Sequence, residues 1–292
     1  MKHAVYLPTF YDFSDPEKML EIAVAADQSG WDGVFLWDHL ALNDDGSLEI
    51  LDATVMLGAI AQATTKVGLG AMITPLARRR PWKLAKELAT LNRLSGGRVT
   101  LGVGLGEPAH FEFSALGENP RQRASRLDEG LEVLRPLLKG ARVSYTGRYY
   151  NLNKVQFAPP AAGPGENLPV WVAACLPATA GLTRAARYEG VFPIKVPASL
   201  KEGASSEIDW SQWWMTAAEL GESLEVVKAH RGSLDGFDVV ASGRVAHDDS
   251  DRSQSHIDEF RAVGASWWFE WIDETPGTFE ASLAAVRRGP PG

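Results

Sequence analysis

The sequence predicts a closed (β/α)8 barrel, the TIM-barrel architecture, in which eight parallel strands alternate with eight helices. Short apolar runs rich in β-branched residues alternate with longer runs of helical periodicity, as in repeated βαβ units. Strand and helix follow each other eight times in strict order, which favours a closed barrel over an open doubly wound sheet. The length of 292 residues suits one barrel of about 250 residues with short insertions.

The eight predicted strands are short, and four of them end at glycine, proline or a charged residue. We expect them at His3–Pro8, Gly33–Leu36, Lys66–Met72, Val99–Gly104, Val170–Ala174, Gly190–Ile194, Phe237–Gly243 and Ser266–Glu270.

The predicted helices combine apolar stripes with recognisable ends. The first begins at Asp15-Pro16-Glu17, with proline at its first position, and stops at Gly30. The fourth carries four leucines at spacings i, i+4, i+7 and i+11, with charged residues between them. These leucines are Leu127, Leu131, Leu134 and Leu138. The other helices are expected at Leu51–Ala63, Pro81–Leu94, Ala178–Tyr188, Thr216–His230, Ser255–Val263 and Thr278–Arg288.

Two insertions interrupt this rhythm. A short hairpin is expected after helix four, at Val143–Phe157, and a short polar, tryptophan-containing insertion after strand six, at Ser199–Trp214. We predict one domain over residues 1–288 and a flexible tail over 289–292.

Composition excludes several classes of protein. The chain has 29 Lys and Arg against 37 Asp and Glu, a net charge of −8, which argues against a broad nucleic-acid-binding surface. Cys175 is the single cysteine, so no intrachain disulfide can form. The first strand starts too early to leave room for a signal peptide, and no apolar run reaches the roughly 18 residues of a membrane span. A soluble cytoplasmic enzyme acting on a small molecule is therefore expected.

In a closed parallel barrel, reactive groups gather at the C-terminal ends of the strands. His39 is the best acid/base candidate there, because an unperturbed imidazole titrates near neutral pH; the alternative is a histidine on the wet rim. The other residues that the strands deliver to this end are Thr9, Phe10, Trp37, Asp38, Thr74, Gly104–Glu107, His110, Cys175, Leu176–Gly181, Lys195, Arg244, Glu270 and Trp271.

Glu107 follows the glycine-rich run Gly102–Gly106. Such a run either lets a flat ligand or a phosphate approach the backbone, or makes a bend that packing requires, and both readings stay open. It is not a dinucleotide-binding fingerprint, because Glu107 stands where a third glycine is needed.

Other chemistries lack a motif. The six histidines are scattered without an HExxH pair, and no GxSxG elbow occurs. A metal cluster of Asp38, His39, His110 and Glu270 is not favoured, because these residues lack metal-ligand spacing, so no metal is predicted. Lys195 is interpreted as a solvated cation rather than a Schiff-base lysine.

The chain resembles the luciferase-like monooxygenase family, and within it the branch that uses the deazaflavin coenzyme F-420 (F420). The resemblance covers His3 to about Phe192 and returns at Gly264–Glu270. It is carried by the order and spacing of Gly30-Trp31-Asp32-Gly33-Val34-Phe35, Asp38-His39, Val67-Gly68-Leu69-Gly70, Ile73-Thr74-Pro75, Gly97-Arg98-Val99, Gly102-Val103-Gly104 and Arg126-Leu127-Asp128-Glu129.

The resemblance implies roles for several of these residues. His39 corresponds to the acid or base beside the reactive carbon of the cofactor ring, Glu107 to a second proton-handling group, and Asp38 to a residue lining the cofactor site. It also implies a non-proline cis peptide, here at Ala71–Met72, that bulges toward the ring, with Thr74 just beyond.

The cofactor's phosphate end is implied near Leu176, Ala178 and Thr179, where backbone N–H groups at a helix start suit an anion. The chain departs from its relatives here, since Cys175-Leu176-Pro177 replaces a common glycine pair. His110 stands where many relatives carry asparagine.

The resulting hypothesis is hydride transfer between F420 and a small alcohol, aldehyde or enone, with Trp37, Lys195 and Glu270 as candidate substrate contacts. The alternative is an FMN-dependent monooxygenase that uses reduced flavin and oxygen. A third possibility is a barrel that binds a ligand without turnover. Because relatives are often dimers, a homodimer is expected.

Overall fold

The computed structural model describes residues 1–42, 46–107, 110–161, 168–196, 213–245, 250–273 and 275–291. Within these residues the chain forms one large parallel sheet and one small hairpin. The strands are β1 (Lys2–Leu7), β2 (Gly33–Leu36), β3 (Gly68–Ala71), β4 (Thr74–Pro75), β5 (Leu101–Gly104), β6 (Val143–Thr146), β7 (Asn151–Val155), β8 (Val170–Leu176), β9 (Gly190–Lys195), β10 (Asp238–Gly243) and β11 (Trp267–Trp271).

The large sheet closes into a barrel. Its strand order is β3-β2-β1-β11-β10-β9-β8-β5-β4, and all its pairings are parallel. β3 and β4 are consecutive halves of the third barrel strand, on either side of a bulge. Leu69 of β3 bridges Val99, and the Thr100 N–H donates to the Leu69 carbonyl at 2.8 Å, which joins the two ends of the sheet. The predicted eight-stranded barrel is confirmed.

Eight α-helices within the described residues surround the barrel, and none is long and apolar enough to cross a membrane. They are α1 (Pro16–Gln28), α2 (Ala53–Ala63), α3 (Pro81–Leu94), α4 (Arg123–Leu138), α5 (Ala180–Ala185), α6 (Ala217–Arg231), α7 (Ser250–Ala262) and α8 (Phe279–Arg287).

Two helix boundaries differ from the prediction by more than two residues. α5 ends at Ala185 instead of Tyr188, because the last residues form tighter i→i+3 bonds, such as that from the Tyr188 N–H to the Ala185 carbonyl. α7 begins at Ser250 instead of Ser255, since apolar periodicity marks only the part of a helix that packs on the core.

The predicted hairpin is confirmed as β6 and β7, which pair antiparallel with Thr146 opposite Asn151. Buried Glu129 of α4 accepts hydrogen bonds from the N–H groups of Tyr149 (2.9 Å) and Tyr150 (2.7 Å), which fixes the hairpin to that helix. Most of the predicted polar insertion, residues 199–212, lies outside the described residues.

Aromatic side chains fill the barrel interior. Phe35 and Phe269 stack with ring centroids 4.5 Å apart. At the N-terminal end of the barrel, the Asp238 carboxylate accepts from the indoles of Trp171 (3.2 Å) and Trp267 (3.1 Å). The interior is therefore a packed core, and ligand chemistry is left to the C-terminal end.

The third barrel strand bulges inward between β3 and β4. Its cis peptide joins Met72 and Ile73, one residue beyond the expected Ala71–Met72, and the Met72 carbonyl accepts from the buried Tyr6 hydroxyl. A Cβ at Gly102 would overlap the Met72 sulfur, and one at Gly104 would overlap Cδ1 of Ile73. These two glycines make room for the bulge, which supports the packing reading of the glycine run.

We predict that Gly102→Ala destabilises the fold by about 1–3 kcal/mol. Besides overlapping Met72, the added methyl group would lie 2.5 Å from the backbone carbonyl oxygen of Ala71, so the bulge itself must shift. The control is Gly58→Ala in α2, where a Cβ meets nothing within 4 Å and about 0.5–1 kcal/mol of stabilisation is expected. Chemical denaturation measures both, and equal midpoints for the two variants would contradict the packing explanation.

Candidate active site

His39 lies just beyond β2, at the C-terminal end of the barrel. Its side chain is 23 % exposed, and its ring centroid is 6.1 Å from that of Trp37. Burial, helped by the charge of Arg78, lowers the pKa of His39, while Glu107 and Asp38 act in the opposite direction. His39 is therefore neutral at neutral pH, which suits a proton acceptor.

A second carboxylate, Glu112, contacts the histidine ring. Its Oε1 lies 3.3 Å from His39 Nδ1 and accepts from the N–H groups of Leu40 (3.0 Å) and Ala41 (3.4 Å). Glu112 is 2 % exposed, and its other oxygen forms an ion pair with Arg78. Because an ionised carboxylate only accepts hydrogen bonds, the proton of the neutral ring is assigned to Nδ1, which leaves the lone pair on Nε2.

Sequence reasoning missed Glu112 and Arg78. Glu112 stands between Phe111 and buried Phe113 in a stretch of short 3-10 turns. A carboxylate between two phenylalanines is the signal that could have found it, since buried charges are normally paired.

Asp38, expected to line the cofactor site, is buried and holds the segment after β2 through hydrogen bonds to two arginines. Both of its carboxylate oxygens accept from Nη2 of Arg79, at 2.9 and 2.7 Å, and its carbonyl accepts from Arg78 at 3.2 Å. Burial lowers the pKa of Arg78 to about 10, so this guanidinium keeps its charge at neutral pH. The two arginines thus fix the chain on either side of the His39 backbone.

The predicted proton-handling residue Glu107 is exposed and acts on His39 through its charge. Three residues expected at the cofactor ring, Ala71, Met72 and Thr74, are buried at the bulge. The side chain of His110 lies outside what the structure describes. The structure brings Trp37, Asp38, His39 and Glu107 to one end of the barrel, together with Arg78, Arg79 and Glu112.

The predicted phosphate region has a cation nearby. Leu176 is half-buried, whereas Ala178 and Thr179 are exposed at the start of α5. Arg123, the first residue of α4, acts by its charge on the thiol of Cys175, whose pKa is raised by burial and lowered in part by this arginine. The Nε of Arg123 is buried and has no hydrogen-bond partner among the described residues, so it is a donor that an anion could satisfy.

The three candidate substrate contacts lie in different surroundings. Trp37 is buried, with ring centroids 5.5 Å from Phe10 and 5.3 Å from Trp271. Lys195 pairs with Glu219 of α6 at 2.8 Å. Glu270 is fully buried, and its oxygens accept from the Trp268 indole (2.8 Å) and the Val245 N–H (2.9 Å). Only Trp37 adjoins His39.

In the described part of the chain, no three His, Cys, Asp or Glu side chains are grouped so that they could hold a metal ion. The chemistry that this end of the barrel offers is proton transfer at His39, beside an aromatic wall and a buried cation.

The sequence profile of the luciferase-like monooxygenase family matches residues 4–265. The chain belongs to this family, and the resemblance seen in its motifs is confirmed.

The chain is similar to F420-dependent glucose-6-phosphate dehydrogenases. It is 33% identical over 171 residues to the enzyme of Nakamurella multipartita, a match that covers 57% of this chain and 49% of the relative. It is 30% identical over 205 residues to the enzyme of Mycobacterium avium, covering 65% of this chain and 60% of the relative. The chain thus spans about half the length of most of the curated relatives it matches.

Solved structures agree on the fold. An F420-dependent secondary alcohol dehydrogenase in complex with an F420-acetone adduct superposes with a TM-score of 0.75 at 19% identity, covering 98% of this chain and 99% of that one. A monooxygenase from Streptomyces bottropensis gives 0.73 at 21% identity, with 98% and 97% covered.

We predict that Glu107→Gln lowers the pKa of His39, because it removes a negative charge that favours the imidazolium. Titration of the His39 ring proton by NMR, assigned by its loss in His39→Asn, measures this. The control is Glu118→Gln, which removes a carboxylate that pairs with Arg126 at 3.0 Å. If the pKa of His39 is unchanged in the Glu107 variant, Glu107 does not influence the protonation of His39, and its predicted role in proton handling is wrong.

Proposed function

We propose that the chain is an oxidoreductase that transfers hydride between F420 and a small alcohol, aldehyde or enone. The observation that supports this proposal most directly is the neutral His39, whose Nδ1 faces Glu112 and whose Nε2 keeps its lone pair. When bound, a deazaflavin supplies a ring carbon that accepts or returns hydride and reacts poorly with oxygen. The names of the curated relatives support this cofactor.

His39 manages the proton that accompanies the hydride. When an alcohol is oxidised, Nε2 of His39 would take the hydroxyl proton, and a bound F420 would supply the acceptor for the hydride from the alcohol carbon, so that a carbonyl product would remain. In the reverse direction the imidazolium returns that proton to the oxygen. Glu107, at the exposed rim, would exchange the proton with solvent.

Several residues fit an F420 molecule at this end. The Met72–Ile73 bulge would support the ring, with Ala71 and Thr74 beside it. The phosphate end would lie against the backbone at Leu176–Thr179, where the unsatisfied Nε of Arg123 could donate to it.

The surroundings of His39 favour an uncharged substrate. Partly buried apolar residues pack against the aromatic cluster that contains Trp37. They are Leu42, Leu48, Ile50, Ile73, Ile194 and Trp213.

A sugar phosphate, as named for the curated relatives, fits these surroundings less well, because a phosphate dianion needs cations. Among the described cations near the strand ends, Arg79 pairs with Asp38, Lys195 with Glu219, and Arg244 with Asp273. A small alcohol or ketone with an apolar body is the better match.

The second candidate is an FMN-dependent monooxygenase. Arg123 would suit the phosphate of FMN equally well, and the chain's family is named for monooxygenases. A barrel that binds a ligand without turnover is the third, and His39 with its Glu112 contact argues against it.

We also propose a cytoplasmic homodimer. The single cysteine is compatible with a reducing compartment, and the dimer is proposed from the family resemblance.

Ligand titration separates these functions. We expect F420 to bind at micromolar concentration and to change the tryptophan fluorescence, because Trp37 and Trp271 lie near the site. Arg123→Gln should weaken F420 binding about tenfold, the loss of one charge-assisted hydrogen bond, but leave the tail-less 8-hydroxy-5-deazariboflavin unaffected. Exposed Arg121 on the preceding turn supplies the control variant Arg121→Gln. Binding of FMN without F420 would overturn the proposal, and binding of neither would leave the ligand-binding barrel.

His39→Asn tests the proton acceptor. Turnover of an alcohol should fall about 10²-fold or more while the affinity for F420 stays nearly unchanged. In the wild type the neutral form is lost as pH falls through the lowered pKa of His39, so the acid limb of alcohol oxidation should lie below 6.5. The control is His230→Asn, at an exposed histidine of α6. Near-normal turnover of a folded His39 variant would show that His39 is not the proton acceptor and is only a histidine at the solvent-facing rim of the barrel.

A further inference from the structure

We infer that Glu112 is the positioning residue that holds His39 in its reactive tautomer and stabilises the imidazolium formed during turnover. The consequence for turnover rests on the proposed function. The tautomer itself is a property of the protein alone.

One carboxylate oxygen organises three consecutive residues. Oε1 of Glu112 faces His39 Nδ1 and accepts from the backbone of Leu40 and Ala41. The contact spans 73 residues of sequence and ties the segment after β2 to the turn that follows β5. Rotation of the imidazole would break the ring contact while the two backbone bonds hold the carboxylate in place.

The charge of Glu112 is balanced. Burying a carboxylate is costly unless it is paired and its oxygens are satisfied. Arg78, with a side chain 5 % exposed, supplies the pairing charge on the other oxygen. The carboxylate can therefore stay ionised beside the ring, where only a Nδ1–H can donate to it.

The other charges around His39 act differently. Asp38 is bonded to Arg79 through both oxygens, and Glu107 is exposed. Both act on His39 through space, and Arg78 opposes the protonated form. Among these groups Glu112 is the one in contact with a ring nitrogen, so it selects the tautomer.

This arrangement matters when a proton arrives. Nε2 takes the hydroxyl proton of the alcohol, and the ring then carries a proton on each nitrogen and one positive charge. The Nδ1–H keeps its contact with the ionised Glu112, which offsets that charge. Without the carboxylate, the ring could settle with its proton on Nε2 and have no lone pair facing the substrate.

The test is the tautomer of His39 in the wild-type protein and in Glu112→Gln, read from ¹⁵N chemical shifts of the ring in long-range ¹H–¹⁵N spectra. We expect Nδ1–H in the wild type above the His39 pKa. In the variant, the amide oxygen that accepts from Leu40 and Ala41 is neutral and accepts more weakly than the carboxylate, so the Nδ1–H population should fall and the Nε2–H population should rise.

Kinetics supply the second readout. Glu112→Gln should lower kcat for alcohol oxidation about 10²-fold with little change in KM or in the F420 dissociation constant. Removing the negative charge also lowers the pKa of His39, so the acid limb should move to lower pH. If Glu112→Gln changes only KM and leaves the acid limb of the pH profile where it is in the wild type, Glu112 has a structural role and does not position His39.

Glu129→Gln is the matched control, because Glu129 is another buried carboxylate that accepts two backbone N–H groups, at the hairpin. It should cost stability without changing the tautomer or the pH profile. If Glu112→Gln does not fold, the wild-type spectrum still decides, since Nε2–H there overturns the inference. Failure of F420 to bind would overturn the proposed function and leave the tautomer result standing.

Discussion

Two neighbouring arginines, Arg78 and Arg79, connect three barrel segments at the C-terminal end. They follow β4 on a 3-10 turn, and from there Arg79 reaches Asp38 after β2 while Arg78 reaches Glu112 after β5. All four side chains lie largely out of solvent, so removing one partner would leave an uncompensated charge at a cost of about 3–5 kcal/mol. The position of His39, which lies between these pairs, depends on both.

The parts of the fold that the sequence predicts well are those with local signals. β2 and α3 begin and end at the predicted residues, Gly33–Leu36 and Pro81–Leu94, because glycine and proline mark their starts. His39 could be placed at the C-terminal end of a strand, since barrel topology fixes where the residue after each strand lies.

The parts that escaped prediction depend on distant contacts. Glu112 lies among short 3-10 turns without hydrophobic periodicity, so nothing local indicates that it meets a histidine 73 residues away. Arg78 and Arg79 belong to a run of three arginines that reads as a solvated surface. The glycines of β5 show the same limit, because spacing alone does not tell whether a ligand or, as found here, Met72 and Ile73 fill the space before them.

The closed base of the barrel has a kinetic consequence. Asp238 joins the indoles of Trp171 and Trp267 at the N-terminal end, and aromatic rings fill the interior above them. A cofactor and a substrate that both use the C-terminal end must then share one entrance. Under the proposed function, whichever of the two lies deeper would have to bind first and leave last, so the packed interior favours an ordered sequence of binding and release.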